Sequence, residues 1–203
     1  MTARDEISRT RPSWPWWRWT VMGLSLLGLA LSVYLSWHAL LGAAIGCGGG
    51  SSCDQILSSR WSTIGGVLPV SGLAVGTYLA ILLAGLAIGP GVSSPVRKLA
   101  WRVILVLASA AAGSAVWFTI VQRWLVRAFC PYCMAAHFTG VVLAILVIWQ
   151  APKQMQGPGD VPPTRPRIAR YPVIGFVLAG ILAACQVGIA PPPAYRSGVS
   201  QPP

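Results

Sequence analysis

The chain has 203 residues, of which 55% are hydrophobic and only 9% charged, whereas a soluble domain carries roughly 25% charged residues. Its formal net charge is +11, but the basic residues fall between long apolar runs, form no single patch and accompany no nucleic-acid recognition motif. The composition therefore excludes an ordinary soluble domain, gives nucleic acid no role, and predicts a multi-pass membrane protein in contact with lipid.

In chain order, a basic leader over 1–18 precedes apolar stretches at about 19–41, 70–88, 99–121, 133–149 and 172–189. Each is close to the ~20 residues that cross a bilayer as a helix. Lipid offers no partner to a free backbone N–H or C=O, so these segments predict an all-α integral membrane fold with five spans. A loop over 42–69 joins the first two spans. A linker rich in Pro, Gly and basic residues runs over 151–170, the fifth helix over 171–190 and a proline-rich tail over 191–203.

Cytoplasmic segments carry an excess of Lys and Arg. With the N-terminus in the cytoplasm, that side holds eleven: Arg4, Arg9, Arg11, Arg18, Arg97, Lys98, Arg102, Lys153, Arg165, Arg167 and Arg170. The other side holds four, Arg60, Arg123, Arg127 and Arg196. Trp14, Trp16, Trp17 and Trp19 crowd one end of the first span, and Trp37, Trp61, Trp117 and Trp124 lie near the opposite face, as membrane-interface belts do. A cleaved signal peptide is the competing reading of the first span, but its apolar length exceeds the usual ~7–15 residues. The stretch "AIGC" at 44–47 faintly resembles a lipidation site.

This topology puts Cys47, Cys53, Cys130 and Cys133 on the extracytoplasmic face, with Cys185 inside the fifth span. Four cysteines on the oxidising side suit disulfide chemistry. The stretch "FCPYCMAAH" at 129–137 sets Cys130 and Cys133 three apart at a helix start. There Pro131 loses no hydrogen bond, the two cysteines share a face, and the helix N-terminus stabilises a thiolate. The competing reading is two packed cysteines. The other pair stands in "CGGGSSC", Cys47 to Cys53. Its glycines and serines make a loop flexible enough for one cysteine to meet a soluble partner and the other to reach inward, as thiol–disulfide exchange requires. A static loop disulfide and a four-cysteine zinc site remain alternatives. In the adjoining "DQILSSRW", Ile56, Leu57 and Trp61 can share one helical face, which predicts a short helix over the bundle mouth that reads equally as a lid or as an ordinary interfacial helix.

Taken together, the cysteine pair separated by five residues, "SSRW" at 58–61 and Cys-Pro-Tyr-Cys opening the fourth span resemble the bacterial form of the vitamin K epoxide reductase family. The resemblance covers roughly 19–150. It implies a four-helix bundle around a quinone pocket plus a fifth transmembrane helix, and disulfide formation coupled to reduction of a ubiquinone- or menaquinone-type quinone. By position it makes Cys47 and Cys53 the pair that takes electrons from a partner. Cys130 is then the cysteine that exchanges with the loop, through Cys53, and Cys133 the one beside the quinone. Ser59 matches a serine that helps hold loop and active site. The chain has no asparagine for the quinone contact many members make near the start of span two. Ser71 and the backbone around Pro69 are the nearby candidates.

Where animal members have a tyrosine four residues after the last active cysteine, this chain has His137. It lies one turn below Cys133 and is a candidate hydrogen-bond or proton donor to a quinone oxygen; an interhelical hydrogen bond is the competing role. His38 reads as interfacial and Cys185 as a packing residue. Many relatives continue into a thioredoxin-like domain, so the expected partner is a separate, or formerly fused, thioredoxin-like or DsbA-type protein. The expected location is the bacterial cytoplasmic membrane. The alternative in another class is a membrane scaffold or binding protein whose cysteines are structural.

Overall fold

The computed structural model describes residues 16–42, 51–89, 91–155 and 165–189. Cys47, the basic leader before Trp16, residues 156–164 of the linker and the tail after Ile189 lie outside the described residues. Among the described residues six α-helices succeed one another: α1 Trp16–Leu41, α2 Ser52–Leu57, α3 Val70–Leu86, α4 Ser94–Ile120, α5 Pro131–Gln154 and α6 Arg165–Gly188.

Four of these are long and apolar enough to cross a membrane, and α3 is a shorter apolar helix of 17 residues. At 1.5 Å per residue α3 reaches about 25 Å, near the lower limit for a span. Exposed Leu26, Val33, Leu83, Val116, Ile145 and Val173 stud the outward helix faces, which is the distribution a lipid-facing surface requires.

Helix starts obey the local chemistry. Ser93 and Pro95 open α4, and Pro131 stands in the first turn of α5 behind Cys130 as N-cap. The small loop helix α2 is closed by a capping box. Asp54 N–H donates to Ser51 Oγ and Ser51 N–H to Asp54 Oδ2, each at 3.2 Å, which satisfies two otherwise orphaned donors. A 3-10 turn over Arg60–Ser62 comes next, then a hairpin pairing Thr63 with Pro69 and Ile64 with Leu68. Gly65 and Gly66 turn that hairpin at φ 61° and 75°, a region where a side chain is disfavoured.

Several of the sequence-based boundaries shift. The first helix starts at Trp16 rather than 19, because Trp17 is buried against Trp101 at 5.3 Å between ring centroids. Arg18, expected on an exposed basic flank, is also buried, and its Nη2 donates to the Leu86 carbonyl at 3.5 Å. The connection expected over 151–170 is shorter, since α5 continues to Gln154 and α6 begins at Arg165. Helices running past the hydrocarbon keep their backbone bonds while Lys and Arg reach water.

Helices α1, α3, α4 and α5 close a ring in which each packs on the next, and α6 lies along α4. The ring is solid at one end. Val21, Tyr78, Ile81, Trp101, Ile104, Leu105, Leu143 and Val147 form a continuous core there. At the other end the same four helices part around a hollow, and the cysteines stand beside it.

Candidate functional site

The hollow is a cavity of about 360 Å³, within the size range of small-molecule sites. Leu35, Ala74, Leu107, Ala111 and Phe118 give it apolar walls, and α2 with the 3-10 turn closes it through Ile56, Leu57 and Trp61. Cys133, His137, Ser59 and Ser71 all line it. Residues far apart in the chain, singled out from sequence, thus meet on one surface.

Cys53, Cys130 and Cys133 are buried together with Leu35, and Ile56 and Leu57 pack on them. All three are free thiols. The Cys53 and Cys130 sulfurs stand 2.6 Å apart. Cys130 caps α5: its sulfur accepts the N–H of Cys133 at 3.3 Å. Cys133 therefore faces two ways, toward Cys130 through the helix turn and toward the cavity with its side chain.

These contacts polarise the thiols in opposite senses. The Cys133 thiol, then the Cys53 thiol and the backbone N–H groups of Cys133 and Tyr132, hold Cys130 below the ordinary thiol range, against the opposing cost of burial. Burial first, and the neighbouring Cys130 sulfur next, push Cys53 up. With all three thiols reduced, Cys130 therefore carries more thiolate character than Cys53.

Gln122, not signalled by any motif, ties the dithiol to His137. The last turn of the α4 span, Val121–Val126, is π-helical and ends at Arg127 in the left-handed region, φ 58°. Within it Gln122 is 2% exposed. Its Oε1 accepts the Cys130 N–H at 3.1 Å, and its Nε2 lies 3.4 Å from His137 Nε2. A backbone N–H only donates, so the amide oxygen must face Cys130 and the NH₂ must face the ring. His137 Nε2 is then the acceptor, and the ring proton sits on Nδ1. In a capping box the N-cap N–H goes to a side chain at the third helical position. Here that position is Cys133, which has no acceptor oxygen, and Gln122 supplies one. Its only trace in the sequence is a polar amide beside an apolar span.

Tyr78 forms the floor. Its hydroxyl donates to the Ala136 carbonyl at 3.0 Å. Its ring fits against Gly28, and its oxygen would lie 2.9 Å from a Cβ at Gly140. The His137 ring stacks on Phe118, centroids 6.0 Å apart and nearly parallel.

The remaining candidates take separate places. Ser59 lines the cavity, while its hydroxyl donates to the Ile56 carbonyl at 2.7 Å and so fastens the end of α2. Ser71 sits on the wall at the start of α3, and Pro69 pairs with Thr63 and caps that helix. His38 lies in an aromatic cluster, 4.5 Å from Tyr34, outside the cavity lining. Cys185 is half-buried on α6.

Compared with known protein families, residues 19–148 match the profile described as the Vitamin K epoxide reductase family.

Proposed function

The chain belongs to the vitamin K epoxide reductase family, and from that premise we propose that it oxidises a thioredoxin-like dithiol and delivers the electrons to a quinone in the cavity. Membership makes it a thiol oxidoreductase, and its four long apolar helices make it a multi-pass membrane protein. The observation that carries the finer reading is Cys133, which is three residues from the thiol that touches Cys53 and also on the cavity wall.

The residues fit such an acceptor. The cavity is mostly apolar, as a quinone ring and tail need. The buried Ser32 hydroxyl has no hydrogen-bond partner among the described residues and belongs to its wall. A quinone accepts two electrons and two protons per molecule. In each cycle a reduced partner dithiol becomes a disulfide, and the Cys47–Cys53 disulfide becomes a dithiol. The Cys53 thiolate then attacks Cys130 of a Cys130–Cys133 disulfide, freeing the Cys133 thiolate toward the cavity. Attack of Cys47 on Cys53 restores the loop disulfide and frees Cys130. The Cys130–Cys133 dithiol gives up two electrons and returns to a disulfide. Ser32, Ser71 and His137 line the wall and would hold the acceptor, with the His137 Nδ1–H as a hydrogen-bond donor. The closed loop and the apolar wall keep water from the reacting sulfur.

The proposed setting is the bacterial cytoplasmic membrane, with the cysteines facing outward. The excess of Lys and Arg at the opposite end supports this orientation. The partner is a DsbA-type or other thioredoxin-like protein, separate or fused.

Purified protein in nanodiscs, given a reduced thioredoxin-like donor and short-chain ubiquinone or menaquinone analogues, is expected to form quinol. Cys133→Ala is expected to abolish turnover while the helical circular dichroism stays unchanged. Absence of quinol with every donor and quinone would overturn the reading and favour structural cysteines.

A further inference from the structure

The sixth helix lies beyond the residues matched by the family, yet it is built into the site. Leu178, Ala179 and Leu182 stand on the cavity wall. A seam of small residues brings them there. Gly175 lies against the Val106 carbonyl, and a Cβ there would stand 2.7 Å from that of Ser109. A Cβ at Gly113 would stand 2.7 Å from that of Ala179. Small residues four apart on both helices let the backbones touch, as membrane helices without a hydrophobic driving force require.

The seam fixes the height and rotation of the helix beyond it. Gln186 is eleven residues past Gly175, about three helical turns, and so shares its face about 16 Å nearer the cysteine end. It is 3% exposed. Its Oε1 accepts the Trp117 indole N–H at 2.7 Å, and its Nε2 donates to the Trp61 carbonyl at 2.9 Å. An indole only donates and a carbonyl only accepts, so both ends of the amide are used and its orientation is fixed. The Trp61 ring meets Trp117 edge-on at 6.0 Å. Trp61 belongs to the 3-10 turn that closes the cavity, where the backbone bonds of Ser58, Ser59 and Ser62 are all local. The amide therefore spans 125 residues of sequence to join the loop to the bundle.

We propose that the sixth helix is a wall of the quinone cavity and that Gln186 is the latch holding the capping loop shut over it. Gln186 is a positioning residue: it acts through the loop, on the acceptor side of the reaction and not on dithiol exchange. The identity of the ligand as a quinone rests on the proposed function; the latch itself does not.

The test is Gln186→Leu, which keeps the side-chain volume and deletes both bonds. Amide hydrogen exchange across 59–64 is expected to rise about tenfold, the shift in an opening equilibrium produced by losing about one net hydrogen bond. Exchange within α1 and α5 should stay as in the wild type. Dissociation of a short-chain quinone should speed by a similar factor and raise its KM, with the KM for the reduced thioredoxin-like donor unchanged. Trp117→Phe removes one of the two bonds and should move each readout the same way but less, which keeps the test open if Gln186→Leu fails to accumulate. Unchanged loop exchange in both variants overturns the latch, as does an equal rise in both KM values. If wild type reduces no quinone, the proposed function fails, and loop exchange alone decides the latch.

Discussion

Gln122→Leu isolates the bond that joins the reacting thiol to the rest of the bundle. Leucine has nearly the volume of glutamine, so packing in the π-helical turn survives. What is lost is the acceptor for the Cys130 N–H, 3.1 Å away on a residue with no exposed surface. A buried donor left without a partner costs ~1–3 kcal/mol. For a chain of this size each kcal/mol moves the melting point by about 2–4 °C, so the expected fall is about 2–12 °C. Cys130 would also lose its fixed place at the head of α5, and with it the alignment of its sulfur on Cys53. Gln122→Glu separates the two effects. It keeps an oxygen for the N–H and should melt closer to wild type, but its negative charge opposes the Cys130 thiolate and should slow its alkylation. Thermal unfolding of the reduced protein in detergent, with iodoacetamide trapping resolved by peptide mass spectrometry, reads both quantities. A Gln122→Leu variant that melts with wild type and alkylates Cys130 at the wild-type rate would refute the bridging role.

Two more outcomes are expected from the same geometry. Cys130 should alkylate at pH 7 much faster than Cys53, because its hydrogen bonds favour the thiolate while Cys53 is pushed up. With a folded-state value below the ~8.5 of a free thiol, the Cys130 thiolate stabilises the reduced fold fully above that pH. That contribution is lost as pH falls through the depressed value; reactivity that rises only above pH 8.5 would contradict it. Gly28→Ala should drive its methyl into the Tyr78 ring, displace the phenol from the Ala136 carbonyl and cost about 1–3 kcal/mol. Adding Tyr78→Phe, which removes the hydroxyl but not the ring, should not restore that stability, and recovery would show that the clash is misplaced.

The helices were legible because lipid imposes one rule on every span, so apolar length alone identifies them. The head of α5 was legible because Cys-Pro carries its own capping chemistry. The short loop helix was legible in part: Ile56, Leu57 and Trp61 all line the cavity, but the helix ends at Leu57 and Trp61 belongs to the 3-10 turn that comes next. Gln122 and Gln186 were not. A glutamine in an apolar run announces that a partner is needed but not which one, and the partners are 8, 15, 69 and 125 residues away. The π-helical turn depends on packing that no local periodicity records. The Gly65–Gly66 hairpin did have a signal, since paired glycines between apolar residues are turn formers.

The two glutamines divide the site between them. Gln122 is fixed by a donor on one side, Cys130 N–H, and so presents its NH₂ to His137. Gln186 is fixed by a donor, the Trp117 indole, and so presents its NH₂ to the loop carbonyl of Trp61. In each case a neutral amide serves where a carboxylate would leave one bond unmade and an aliphatic chain both. A neutral link also adds no charge beside the Cys130 thiol. The first amide holds the sulfur end of the cavity and the second holds its cover. Both amides meet the span Ser94–Val126, Gln122 as part of it and Gln186 through the Trp117 indole, so that one helix ties the cysteines and the Trp61 turn to the bundle.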